Sequence, residues 1–221
     1  MSSFLFTGEP WLRAAWEGEM GDSGSPGRDG DPGQTAQFLF RNMCIALPGD
    51  GEQGGNGHDG YNGDAGMKGR PAPPGTLDLG IIEGQITIEV GGGQGQTGGK
   101  GGLGGAGGSG GRAGYNPIYE GPGIYPPPQP CPSGQAGPMG WGGKGGNGGN
   151  AGDGGDGGTV TVYYKSIKSG NIDSKTFFGN PGIPGAAGFG GYSTTGNRGN
   201  GRPGFQGSLG SASNVIIRQV P

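Results

Sequence analysis

Apolar residues in this chain gather in a few short blocks, and the long stretches between them are ruled by glycine at every third position. The first block, 1–17, carries Phe4, Leu5, Phe6, Trp11, Leu12 and Trp16. Pro10 ahead of WLRAAW predicts a short helix with Trp11, Leu12, Ala15 and Trp16 on one side. A second block, 37–47 (QFLFRNMCIAL), reads as a strand. Blocks 76–90 (TLDLGIIEGQITIEV) and 159–178 (TVTVYYKSIKSGNIDSKTFF) alternate apolar and polar positions. The first breaks at Glu83-Gly84 and the second near Ser169-Gly170-Asn171, so each predicts a β-hairpin. The chain closes on a last strand, SNVIIRQV.

Between the blocks the period is three. Glycine holds 134, 137, 140, 143, 146, 149, 152, 155 and 158 without a gap. A second register at 142, 145, 148, 154 and 157 is broken by Ala151, giving GGK-GGN-GGN-AGD-GGD-GG. Three residues per turn is the repeat of the polyproline II helix, which rises about 3.1 Å per residue and makes no hydrogen bonds to itself. Its amides need outside partners, and a glycine face lets another backbone approach closely enough to supply them. The run at 18–33 has one glycine per turn and belongs at an edge; GGK-GGL-GGA-GGS-GGR, within 91–114, has two and belongs inside beside 134–158. The runs 51–75, 92–114 and 134–158 would each extend roughly 70–80 Å.

The expected fold is neither all-α nor all-β. It is an antiparallel bundle of polyproline II helices with short β-hairpins and strands at the ends. Residues 1–17 form an N-terminal attachment segment, and 18–221 the glycine-rich bundle. Both hairpins fall at one pole. The proline-rich loop 115–133 (YNPIYEGPGIYPPPQPCPS) falls at the other, near 38–47, which brings Cys44 and Cys131 to the same pole as a possible disulfide. The N-terminus has no positively charged leader pattern, so synthesis without an export signal is expected, a setting that weighs against the bridge.

Composition sharpens this picture. Of 221 residues 63 are Gly and 19 Pro, and only 29% are apolar, too few for an ordinary core. Stability must rest mainly on backbone hydrogen bonds and close glycine contacts. The net charge is −3 with both signs interspersed, which offers no basic stripe for nucleic acid. No apolar stretch approaches the ~20 residues of a membrane span, so no membrane insertion is expected.

Chemistry is sparse. GxGxxG strings recur, but none follows a strand and opens a helix. GGNGHDGYN, at 54–62, fits a single calcium-binding nonapeptide, a repeat that binds metal only when stacked. Asp153 and Asp156 read as a solvated ridge. With one histidine, His58, no catalytic constellation or metal set can be assembled, and no enzyme activity, metal or cofactor is expected. Two groups remain as candidate contacts. Tyr115, Tyr119, Tyr125 and Pro127 offer a partner-binding surface, or else cap the rod ends. Phe4, Phe6, Trp11, Leu12 and Trp16 offer an assembly attachment, or else cap the bundle's own end.

GGX runs separated by short strands, carried above all by GGKGGLGGAGGSGGR and GGKGGNGGNAGDGGDGG, resemble glycine-rich polyproline II bundle proteins. Small antifreeze proteins and the tip adhesins of phage tail fibres are the two functional kinds, and the composition is also collagen-like. The resemblance implies a non-enzymatic structural and recognition protein: a tail-tip or fibre-like adhesin component of a phage or phage-like particle. It would join a larger assembly through the N-terminal segment and contact a host-surface receptor, in a virion or other extracellular particle. The alternatives are a purely structural collagen-like rod or filament component and an ice-binding antifreeze protein. The irregular, charged ridge of Glu52, His58, Asp59, Tyr61, Asp64, Lys68 and Arg70 argues against ice.

Overall fold

The computed structural model describes residues 2–31, 34–38, 41–115 and 132–221. Among these residues there is no helix, and the regular elements are eight β-strands. Strands β1 (Ser2–Thr7), β5 (Ile81–Gly91) and β7 (Ser166–Phe177) form a parallel sheet in the order β1-β5-β7. Strands β4 (Gly75–Asp78), β6 (Thr159–Tyr164) and β8 (Asn214–Gln219) form a second parallel sheet in the order β4-β6-β8. Only β2 (Gln34–Phe38) and β3 (Arg41–Ala46) pair antiparallel.

The expected antiparallel bundle of polyproline II helices with β-hairpins is corrected by this topology. β4 and β5 sit in different sheets, as do β6 and β7, so neither 76–90 nor 159–178 is a hairpin. Their alternation has another cause: each strand turns one face towards the opposite sheet. Ile88, Val90, Val160 and Val162 are fully buried between the sheets, with Phe6, Leu77, Ile86, Ile172 and Val215 packed around them. The chain changes sheet at Gly80, whose φ of 60° suits glycine, and again at Lys165, whose N–H donates to the Gly80 carbonyl at 2.7 Å. The residues that looked like turns, Gly84 and Gly170, are register partners in β5 and β7. The predicted helix after Pro10 is also absent; the chain runs on extended, and the Ala15 N–H donates to the Thr97 carbonyl.

From the two sheets run six extended glycine-rich segments, numbered here in chain order: 8–31, 49–72, 91–114, 134–158, 179–192 and 196–213. Segments one, three and five continue the first sheet as one layer. Gly18, Gly21, Gly24, Gly27 and Gly30 donate to the carbonyls of Lys100, Leu103, Ala106, Ser109 and Arg112, and Gly98, Gly101 and Gly104 to those of Ile183, Ala186 and Phe189. Segments two, four and six continue the second sheet in the same manner, with Gly57, Gly60 and Gly63 donating to Trp141, Lys144 and Asn147, and Gly145 and Gly148 to Gly199 and Arg202. Between layers the segments are antiparallel: Gly105 donates to His58, and Gly143 to Gly105.

Glycine density follows the number of neighbours. Segments three and four each bond to four others and carry the double register; segments one and six bond to two and carry the single one. The reason is steric. A Cβ added to Gly105 would overlap the Asp22 carbonyl, and one added to Gly146 would overlap that of Tyr61.

Side-chain identity also stops the layers from growing. Counted from the lateral donor glycines, the positions of segment one that match Gly102, Gly105 and Gly108 are Glu19, Asp22 and Ser25, where side chains fill the space a further segment would need. On the other edge the lateral donor positions of segments five and six include Pro181, Pro184 and Pro203, which have no N–H to offer.

Candidate functional site

Because the odd segments all leave the sheets in one direction and the even segments return, the far ends of segments one to four, joined by the first two links, lie at the pole opposite the strand core, while the third link stops short of it, where the Gly107 N–H donates to the Tyr192 carbonyl. The first link holds β2 and β3, the second is 115–133, and the third is the tight turn 193–195. In that turn Ser193 Oγ donates to the Gly140 carbonyl and Thr195 Oγ1 to the Met139 carbonyl. Gly196, at φ 123°, lies against the Trp141 ring. Tyr115 is exposed at this pole; Tyr119, Tyr125, Pro127 and Cys131 lie outside the described residues. Cys44, in β3, is disulfide-bonded.

The N-terminal candidates divide. Phe6 packs into the strand core and over Gly75, and Phe4 is part-buried on β1 in register with Ile88. Both act as structural residues of the edge strand. Leu12 and Trp16 are 94% and 82% exposed. Trp11 is pinned: its Nε1–H donates to the Lys68 carbonyl at 3.1 Å, and the Arg70 guanidinium lies 5.4 Å from the ring centroid while pairing with Glu9.

Sequence reasoning missed a ladder of side-chain acceptors along the second layer. Asp50, Asn56, Asp59 and Asn62 of segment two accept the N–H groups of Gln135, Trp141, Lys144 and Asn147. Asn147, Asn150, Asp153 and Asp156 of segment four accept those of Arg202, Phe205, Ser208 and Ser211. The expected solvated ridge at Asp153 and Asp156 is therefore a hydrogen-bonded one, and the Asx residue in each GGN and GGD triplet was its signal. Asp156 also pairs with Lys68 at 2.6 Å; that hydrogen bond first, and the Ser211 N–H second, hold its carboxyl below the ordinary value of 3.8. The calcium-like stretch joins the same ladder. Asn56 and Asp59 each accept a backbone N–H, and Arg198 lies 3.7 Å from Asp59. Among the described residues no group of three His, Cys, Asp or Glu side chains is placed to hold a metal.

The first layer has a different outer face. Its residues at the matching positions include Met20, Leu103, Ile183, Phe189 and Tyr192, all exposed. There Asp29 alone, among the described residues, caps a neighbour's N–H, that of Arg112.

No family model matches the chain, and no curated protein matches it. A solved structure of a springtail antifreeze protein from Granisotoma rainieri, a nine polyproline type II helical bundle, aligns with 85% of this chain and 94% of its own at 22% identity. The TM-score is 0.14, a likeness too slight to carry an argument about fold or function.

Proposed function

We propose that this is a non-enzymatic recognition protein, a tail-tip or fibre-like adhesin component of a phage-like or other extracellular particle, which contacts a host surface with the pole where the two longer links, 32–48 and 115–133, begin and end. The observation behind this reading is that the ends of segments one to four, which the two longer links join, meet at one pole of the cross-bonded segments, remote from the strand core. A rigid scaffold that presents irregular loops at one end is the usual arrangement for recognition, because loops can vary without disturbing the packing beneath. Exposed Tyr115 and the two further tyrosines of 115–133 supply large contact area at little entropic cost. The half-cystine at Cys44 suits a protein that works in an oxidising medium. Ice binding asks for a flat face of small uncharged residues, and Lys100, Arg112, Phe189 and Tyr192 interrupt the first layer's outer face.

The test is capture on candidate host cells by the oxidised protein, compared with a variant in which 115–130 is replaced by a Gly-Ser linker and Cys131 is kept. The variant should fold and lose capture. A variant that binds host cells as well as the parent would defeat the assignment.

A further inference from the structure

One inward position of segment three departs from the glycine rule. The register reads Gly93, Gln96, Gly99, Gly102, Gly105, Gly108, Gly111 and Gly114, so a glutamine stands where each of its companions lets a backbone approach. Gln96 is 9% exposed, the one buried polar side chain among the described residues. Its Oε1 accepts the Met67 N–H at 3.0 Å, and its Nε2 donates to the Arg13 carbonyl at 3.1 Å. The side chain thus wedges segment one away from its neighbours. Gly8 bonds to Gly91 and Ala15 to Thr97, so seven residues of segment one span six of segment three, and the extra residue bulges between them.

The bulge leaves a concavity of about 850 Å³ lined by residues 9–17 with Arg70 and Gln96. That volume lies within the range of small-ligand sites, roughly 300–1,000 Å³. Its walls combine the indoles of Trp11 and Trp16 with Pro10, Leu12 and Ala15. Trp11 is held by the Lys68 carbonyl and Arg70 before any ligand arrives. Glu9 and Glu17 balance Arg13 and Arg70, so the lining has no net charge. One Nε2 hydrogen of Gln96 remains beyond the bond to Arg13, and the backbone N–H groups of Trp11, Leu12 and Ala14 enter no hydrogen bond with the described residues.

We propose that this concavity is a binding site for a neutral saccharide. Aromatic plates with a hydrogen-bonding edge and balanced charge match a ring whose faces carry C–H groups and whose rim carries hydroxyls. An anion would find no excess of positive charge here. The proposal rests on the host-surface reading only for its context, since the site lies beside the strand core and away from the pole of links.

The test uses the full oxidised chain and follows tryptophan fluorescence during titration with cellobiose, maltose, lactose and di-N-acetylchitobiose, each to about 10 mM, enough to reveal even millimolar sites. At least one disaccharide should give a saturable change. Trp16→Ala, an exposed substitution that leaves the fold intact, should weaken binding at least about tenfold, and Gln96→Gly should abolish it by letting segment one close the gap. Host-cell capture through 115–133 should be unchanged in Trp16→Ala, which separates failure of this site from failure of the pole. The proposal is overturned if none of the four disaccharides gives a saturable change, if Trp16→Ala binds as the parent does, or if a proline-rich peptide saturates the signal while the disaccharides do not.

Discussion

Segments three and four are near-twins that meet solvent in opposite ways. Each carries the double glycine register, and each bonds to four neighbours. In 141–149 of segment four the remaining N–H of each triplet is also engaged: those of Trp141, Lys144 and Asn147 reach Asn56, Asp59 and Asn62. In segment three the corresponding N–H groups of Lys100, Leu103 and Ala106 face solvent beside Glu17, Met20 and Ser23. Glycine therefore decides how the chain packs, and the third residue of each triplet decides what its outer face offers. One layer closes its backbone with side-chain acceptors, while the other leaves it open among apolar side chains.

Substitution at the shared feature should have the largest effect, equal in both twins. Gly105→Ala and Gly146→Ala each drive a methyl into a carbonyl of the neighbouring segment in the same layer and should cost ~3 kcal/mol or more, read by chemical denaturation. A large gap between the two would break the comparison. The next effect belongs to segment four. Asn147→Ala removes the acceptor of the Arg202 N–H and should cost about 1 kcal/mol, where Ala106→Ser in segment three should be nearly neutral. A gain of function sharpens the contrast: Leu103→Asn sets an acceptor beside the Phe189 N–H and should stabilise by about 0.5 kcal/mol, with slower exchange of that amide. The smallest effect is that of acid. Because the Asp156 carboxyl is held below 3.8 in the folded chain, its contribution is present above that value and is lost as pH falls through the lower folded value. Exchange of the Ser211 amide should quicken there in the parent protein and change little in Asp156→Asn.

Much of the body was legible because glycine spacing is a direct record of backbone approach. The interior position of 134–158 and the edge position of 18–33 follow from counting glycines per triplet. What misled was the strand blocks. Glu83-Gly84 and Ser169-Gly170 look like turns, yet they lie within β5 and β7 as partners across a parallel pair. Alternation reports a buried face and says nothing of which strand lies alongside, and here layer continuity overrode adjacency in sequence. In the same way WLRAAW has helical spacing, but segment three offers carbonyls to an extended chain, and that partnership prevails. At the candidate sites exposure of Leu12, Trp16 and Tyr115 was readable. The core role of Phe6 was not, since an aromatic near a terminus has the same appearance whether it docks outwards or inwards. Gln96 was readable in principle as the missing glycine of an otherwise unbroken inward register.

Residue-resolved amide hydrogen exchange across 91–114 and 134–158 tests the central claim, that segments hold one another through backbone bonds in a repeat of three. The N–H groups of Gly99, Gly101, Gly102, Gly104 and Gly105 should be protected while those of Lys100 and Leu103 exchange freely, and in 141–149 all three positions of each triplet should be slow. Uniform exchange along both segments, with no repeat of three and no difference between them, would contradict it.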